Sequence, residues 1–172
     1  MHPHHPSDHQ DLGFEPPPAH TKAALSILRV SALLSDEIDR ELQKSSGLGL
    51  SEVLVVLQVM FAGGRLRMAD LADSLVVTRG GVTKIVDRLV AGGYLDRVHS
   101  DEDRRVVYAE VTEKAKQLIK TNQPVVQAVT EHRLAGILSA TELDSVHDLM
   151  HRLSCDNPGW EPPEAVGDTA AG

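Results

Sequence analysis

The sequence predicts a mostly α chain with one small β-hairpin (α+β), and three observations lead there. Apolar residues recur at helical spacing in six stretches between Thr21 and Leu153. One stretch alone, Tyr94 to Val111, changes to strand alternation around a charged tip, His99 to Arg104. Gly63-Gly64 and Gly92-Gly93 punctuate the helices on either side of the central segment.

Residues 1–20 are dense in Pro and His with almost no apolar periodicity, so a disordered arm is expected there. His2, His4, His5 and His9 offer imidazole to a metal, but a solvated tail with incidental affinity is the reading adopted. From Thr21 to about Lys44 a long helix carries two stripes, Leu25, Leu28 and Ala32, and Ile27, Leu34, Ile38 and Leu42. Two stripes imply two packing partners, its own domain and another subunit, although deeper burial in one subunit fits the same pattern. Ser51 is expected to cap a core helix from Glu52 to Phe61, apolar at Val53, Leu54, Val56, Leu57 and Met60, that ends at Gly63-Gly64. Arg65-Leu66-Arg67 then reads as a short strand beside the hairpin.

The central segment reads as a short helix (about Met68 to Leu75), a turn, a second helix (Arg79 to Ala91) and the hairpin. Leu71, Ala72 and Leu75 face inward on the first helix, and Thr78 caps the second. Val82, Ile85, Val86 and Leu89 form one apolar stripe on the second helix, leaving Arg79, Thr83, Lys84, Asp87 and Arg88 on other faces. The strands are Tyr94 to Val98 and Arg105 to Val111, with Val107, Ala109 and Val111 alternating against Val106, Tyr108 and Glu110. This is the layout of a winged helix-turn-helix, which places a helix in a DNA groove.

Thr112 caps a further helix running through Leu118, Val125 and Val129 toward Ile137-Leu138, kinked near Lys120–Thr121 by Pro124. Ser139 or Thr141 starts a last helix with Leu143, Val146, Met150 and Leu153 on one face. Trp160 and the acidic, Pro-rich end form a flexible tail.

Charge supports a nucleic-acid partner once it is divided along the chain. The net charge is −8. Residues 1–20 hold three acids and no Lys or Arg, and residues 156–172 hold four acids and none. Residues 63–98 hold six bases and four acids, and local rather than total charge decides phosphate binding. One cysteine and no apolar run of membrane-spanning length point to a reducing cytoplasm. No nucleophile motif, phosphate loop, HExxH or paired-carboxylate constellation appears, so enzyme, cofactor and catalytic metal are not expected.

On the interface, Arg79 suits guanine O6/N7, Thr83 a thymine methyl or a phosphate, and Lys84 and Arg88 phosphates. Arg67 at the entrance to the first helix suits a phosphate or simply solvent. Gly80-Gly81 break helix propensity, either to let the backbone approach the bases or as drift in a frayed first turn. A tip arginine, Arg105 with Arg104 beside it, fits the narrow minor groove, against the alternative of pairing with Asp101, Glu102 and Asp103. Asp87 or Asp103 is suited to hold an arginine in place.

Met68-Ala-Asp-Leu-Ala, Thr78-Arg to Asp87-Arg-Leu, Gly93-Tyr-Leu-Asp-Arg97, and Asp103-Arg-Arg105 with Val111-Thr-Glu-Lys-Ala115 together resemble the MarR family of bacterial transcription regulators. The resemblance covers about Ala23 to Leu153. It implies a single domain over 21–155, with dimerisation helices about 21–45 and 112–153 and the winged helix-turn-helix about 50–111. It also implies DNA contacts from Arg67, Thr78, Arg79, Gly80, Thr83, Lys84, Arg88, Arg104 and Arg105. Arg105 is the residue that enters the minor groove, and Asp103 orients the wing through an ion pair with a recognition-helix arginine. A homodimeric repressor on a near-palindromic operator, released by a small-molecule effector, is the implied function. The alternatives are a redox- or metal-responsive regulator, using Cys155 or the His147/His151 pair, and a winged helix that binds only proteins.

Overall fold

The computed structural model describes residues 15–74 and 79–155, leaving the side chains of Asp73, Ser74, Arg79 and Cys155 outside the description. The expectations for the His-rich arm, for Leu75 and the Thr78 cap, and for the tail after Cys155 fall outside it. The helices are α1 (Ala19–Ser46), α2 (Leu50–Phe61), α3 (Met68–Ser74), α4 (Arg79–Ala91), α5 (Glu113–Thr130) and α6 (Ala140–Cys155). The strands are β1 (Arg65–Arg67), β2 (Leu95–His99) and β3 (Val107–Val111). They form one antiparallel sheet in the order β1-β3-β2, with Leu66 opposite Ala109 and Arg97 opposite the same residue from the other side. No single helix among the described residues is long and apolar enough to cross a membrane.

The chain divides into two compact units, residues 1–33 and 34–172. In the first, the N-terminal part of α1 leaves Leu25, Leu28, Val30 and Leu33 exposed. The second holds both cores. The larger joins Val55, Val56 and Val59 of α2, Leu66 of β1, Leu71 of α3, the Val82, Ile85, Val86 and Leu89 stripe of α4, and Leu95 and Ala109 of the sheet. The smaller joins Ile38 and Leu42 of α1 to Val53 of α2 and Val129 of α5. Burying a leucine contributes roughly 1.5–3 kcal/mol, so Leu42, Leu66, Leu71, Leu89 and Leu95, all fully buried, carry much of the stability. Leu54, read from the sequence as core, is exposed, because α2 turns that flank away from both clusters.

The start of α2 differs from the expected Ser51 cap. Its N-cap is Gly49, and the cap is supplied from another helix: Leu50 donates its backbone N–H to Asp39 Oδ1 of α1 at 2.7 Å. A Cβ at Gly49 would come within 2.6 Å of that oxygen, so a side chain there would displace the carboxylate. Asp39→Ala is expected to lower stability by about 1–2 kcal/mol, the usual worth of a lost cap, as read in a urea titration. An unchanged midpoint would show that solvent satisfies this helix end equally well.

Beyond the sheet, Thr112 caps α5 as expected, its hydroxyl accepting from Ala115 N at 3.2 Å. Pro124 lies inside α5 without ending it. The helix stops at Thr130 rather than continuing to Ile137-Leu138; a π-helical turn, Glu131–Ala135, follows. Arg133 of that turn forks onto Glu37 of α1, Nε to Oε2 at 2.6 Å and Nη2 to Oε1 at 2.9 Å. The guanidinium holds the Glu37 carboxyl below its ordinary range. Ser139, one of the two expected starts, caps α6 in a reciprocal box: its backbone N–H donates to Glu142 Oε2 at 2.8 Å and Glu142 N–H returns to Ser139 Oγ at 3.4 Å.

Candidate nucleic-acid interface

Helix α4 is positioned from three sides. Its apolar stripe is buried throughout: Val82, Val86 and Leu89 are at most 1% exposed and Ile85 is 7% exposed. Its C-terminus closes with Gly93 N–H donating to Val90 O and Tyr94 N–H to Leu89 O, a six-to-one return that needs the left-handed backbone of Gly93 at φ 71°. The carbonyls left over are taken by the next helix. Lys114 Nζ donates to Gly92 O at 2.7 Å and Thr112 Oγ1 to Gly93 O at 2.8 Å. A cation at a helix C-terminus also favours the helix dipole.

Ion pairs fix the flanks of α4. Arg88 Nη2 meets Glu52 Oε1 of α2 at 2.6 Å, and Asp87 Oδ1 meets Arg97 Nη2 of β2 at 2.7 Å. Asp87 therefore does hold an arginine, and that arginine belongs to the wing strand. Arg88, expected on a phosphate, is engaged by a carboxylate 36 residues earlier that sequence spacing does not reveal. Thr83 and Lys84 are exposed away from the core, and Gly80 is exposed, with no atom of a more distant described residue within 4 Å of where its Cβ would stand. Nothing among the described residues requires glycine at that position.

In the wing turn, Ser100 N–H donates to Val106 O at 3.0 Å and Val106 N–H to Asp103 O at 2.9 Å. Asp103 Oδ1 accepts from Arg105 N–H at 2.9 Å, so the carboxylate braces the backbone that carries Arg105. Arg88 pairs with Glu52, not with Asp103; the Arg79 and Thr78 side chains lie outside the described residues. Arg104 and Arg105 are exposed. Arg67, also exposed, donates from Nε to Tyr108 Oη at 3.4 Å, which raises the guanidinium pKa. Arg65, which sequence reading passed over, lies with its guanidinium 4.2 Å from the Tyr108 ring centre. Strand alternation puts Arg65 on the same face as Arg67, and this was the available signal.

Residues 46–106 match the sequence profile of the MarR family. Over that segment the chain is similar to the MarR family. It is 26% identical to the HTH-type transcriptional regulator MhqR of Bacillus subtilis over 132 residues, 77% of this chain and 89% of that protein. It is 32% identical to the transcriptional repressor MprA of Escherichia coli over 85 residues, 49% of this chain. The match spans about half the length of MprA, 48%, and 41% of a further relative, YfiV of Bacillus subtilis. The fold is shared with Sco3205, a MarR family transcriptional regulator from Streptomyces coelicolor solved in complex with DNA. That likeness has a TM-score of 0.70 at 24% identity and covers 88% of this chain and 96% of the other. The chain thus has the winged-helix fold.

Among the described residues, no group of three or more His, Cys, Asp and Glu side chains is placed to hold a metal ion. The His147 and His151 rings lie 6.1 Å apart between centroids on exposed α6.

Proposed function

We propose that this chain is a sequence-specific, double-stranded DNA-binding regulator of the MarR family. In this reading it acts as a homodimer in the cytoplasm and represses until a small-molecule effector respaces its two winged lobes. The observation that carries the proposal is the division of α4. One side is sealed into the core by Val82, Ile85, Val86 and Leu89, and the other offers Gly80, Thr83 and Lys84 to solvent without an apolar side chain among them. A helix so divided presents backbone, hydroxyl and cation to a major groove. Arg79 and Thr78, at its start, belong to the same reading of the groove. Arg105 enters the minor groove from the wing, with Arg104 and Arg67 on phosphates and Asp103 as brace. Arg88 is reassigned from phosphate contact to holding α4 against α2.

Dimerisation is supported by the apolar side chains that α6 and the segment before it leave in water. Ile137, Val146, Leu149, Met150 and Leu153 are all exposed large hydrophobics, at a density unusual for a monomer surface. Leu25, Leu28 and Leu33 of α1 are exposed likewise. A domain over 21–155 whose terminal helices make the dimer body accounts for both sets. A two-fold dimer reads half-sites about one helical turn apart, and an effector shifts only an equilibrium whose two spacings it binds unequally.

The test is a mobility-shift titration of the full chain on its own upstream DNA and on a pool of random duplexes, with the mass in solution measured by light scattering. The expected result is a dimer that selects one near-palindromic sequence. A monomer, or failure to select any sequence from the pool, overturns the proposal.

A further inference from the structure

The cations of the winged lobe are not equally available. Arg88 is engaged by Glu52 and Arg97 by Asp87. Arg65 and Arg67, in contrast, pair with no carboxylate among the described residues, and both converge on one tyrosine. Arg65 stands opposite Glu110 in the strand register, the placement that ordinarily yields a cross-strand ion pair. Its guanidinium turns instead to the Tyr108 ring at 4.2 Å, while Arg67 lies 5.9 Å from the same ring and donates to its hydroxyl. The ring quadrupole attracts both cations without cancelling their charge, as a carboxylate would. Being two apart on an edge strand, the two arginines project from one face, their Cα atoms about 7 Å apart.

We infer that Arg65, Arg67 and Tyr108 form a second phosphate-binding element, on β1 at the root of the wing, that grips the DNA backbone beside the bases read by α4. Tyr108 is a positioning residue that pre-sets two long side chains whose free rotation would otherwise be lost on binding. The occupant is the phosphodiester backbone of duplex DNA, so the inference rests on the function proposed above. Asp101 and Glu102 line a pocket of about 720 Å³ together with Arg65 and Tyr108. Their charge opposes a phosphate entering from that side, so the element's grip is set by the balance of the two signs.

The experiment is fluorescence anisotropy of the full chain on a selected operator duplex between 50 and 300 mM salt, roughly the range over which counterion release is read. Arg65→Ala is expected to weaken binding severalfold for specific and random duplex alike. The slope of log K against log salt should shrink by about one per protomer. Tyr108→Leu should lose a similar amount without any change of charge, and Tyr108→Phe, which keeps the ring, should stay within about twofold of wild type; the melting temperature of each variant is followed in parallel. Asp101→Asn with Glu102→Gln should tighten binding. Wild-type slope and affinity in Arg65→Ala, in a preparation where Arg105→Ala weakens binding, would overturn this inference and leave the DNA-binding proposal standing. No selective binding by wild type would overturn the proposal itself. Capture of acidic peptide but not duplex by Arg65 would also count against the inference.

Discussion

Arg105→Ala is expected to weaken operator binding by about 1–3 kcal/mol per half-site while leaving thermal stability where it was. The side chain is exposed, so its removal leaves no buried cavity. Its backbone is set by the Asp103 brace, which survives the substitution because the contact is made through the Arg105 N–H. The loss should be greatest on duplexes whose flanks have a narrow minor groove, where guanidinium is attracted most strongly. Lys84→Ala makes the contrasting case. A lysine on a phosphate carries no sequence information, so its loss should be uniform across sequences and reduce the salt slope by about one per half-site. Arg88→Ala should leave that slope unchanged, since its charge is already matched by Glu52. If instead Arg88→Ala flattened the slope as Lys84→Ala does, the pair with Glu52 would have to open on DNA.

These contrasts follow how far each contact can be read along the chain. Local signals were legible. The 3.6-residue stripe of α4, the Gly63-Gly64 and Gly92-Gly93 stops, the Thr112 cap and the Arg65–Arg67 strand all depend on residues within one or two turns of each other, and the structure places each as the sequence implied. What sequence could not supply is the partner of a long polar side chain. Whether Arg88 faces phosphate or protein is decided by Glu52 on another helix, and whether α2 is capped by Ser51 is decided by Asp39, 11 residues before its first helical N–H. The end of α5 was overread for a related reason. Apolar residues continue past Thr130 at helical spacing, but Arg133 forks onto Glu37 from a π turn, and the register of the stripe is broken there. Arg65 was missed because a surface arginine on a three-residue strand looks like solvent-facing charge until Tyr108 is found beside it.

The largest expected effect on stability comes from the single buried polar residue among the described core, Asn122 on α5, 1% exposed. Its Nδ2 donates to Ser46 Oγ at 3.1 Å, and Ser46 in turn donates to Leu42 O at 3.0 Å. Its Oδ1 has no hydrogen-bond partner among the described residues. A buried carbonyl oxygen left unsatisfied costs on the order of 1–3 kcal/mol, so the site already works against the fold. Asn122→Asp puts a carboxylate in the same buried place, where the Ser46 hydroxyl is the neighbour that can hydrogen-bond to it. The expected cost at neutral pH is about 3–5 kcal/mol, the range seen for an uncompensated buried charge. Burial raises the folded-state pKa of such a group, so the folded state binds the proton more tightly than the unfolded one. Stability of this variant, relative to wild type, should therefore recover as pH falls below the folded pKa and decline as pH rises above the unfolded one. Asn122→Leu should do the reverse of the aspartate at neutral pH: it removes the orphaned oxygen, leaves Ser46 its bond to Leu42, and comes out neutral or stabilising. Urea titrations of the three proteins at pH 5 and pH 8 decide it. A leucine variant as damaged as the aspartate would mean that Oδ1 is satisfied by a bound water, and that the Asn122–Ser46 link between α5 and α1 is a net contributor to the fold.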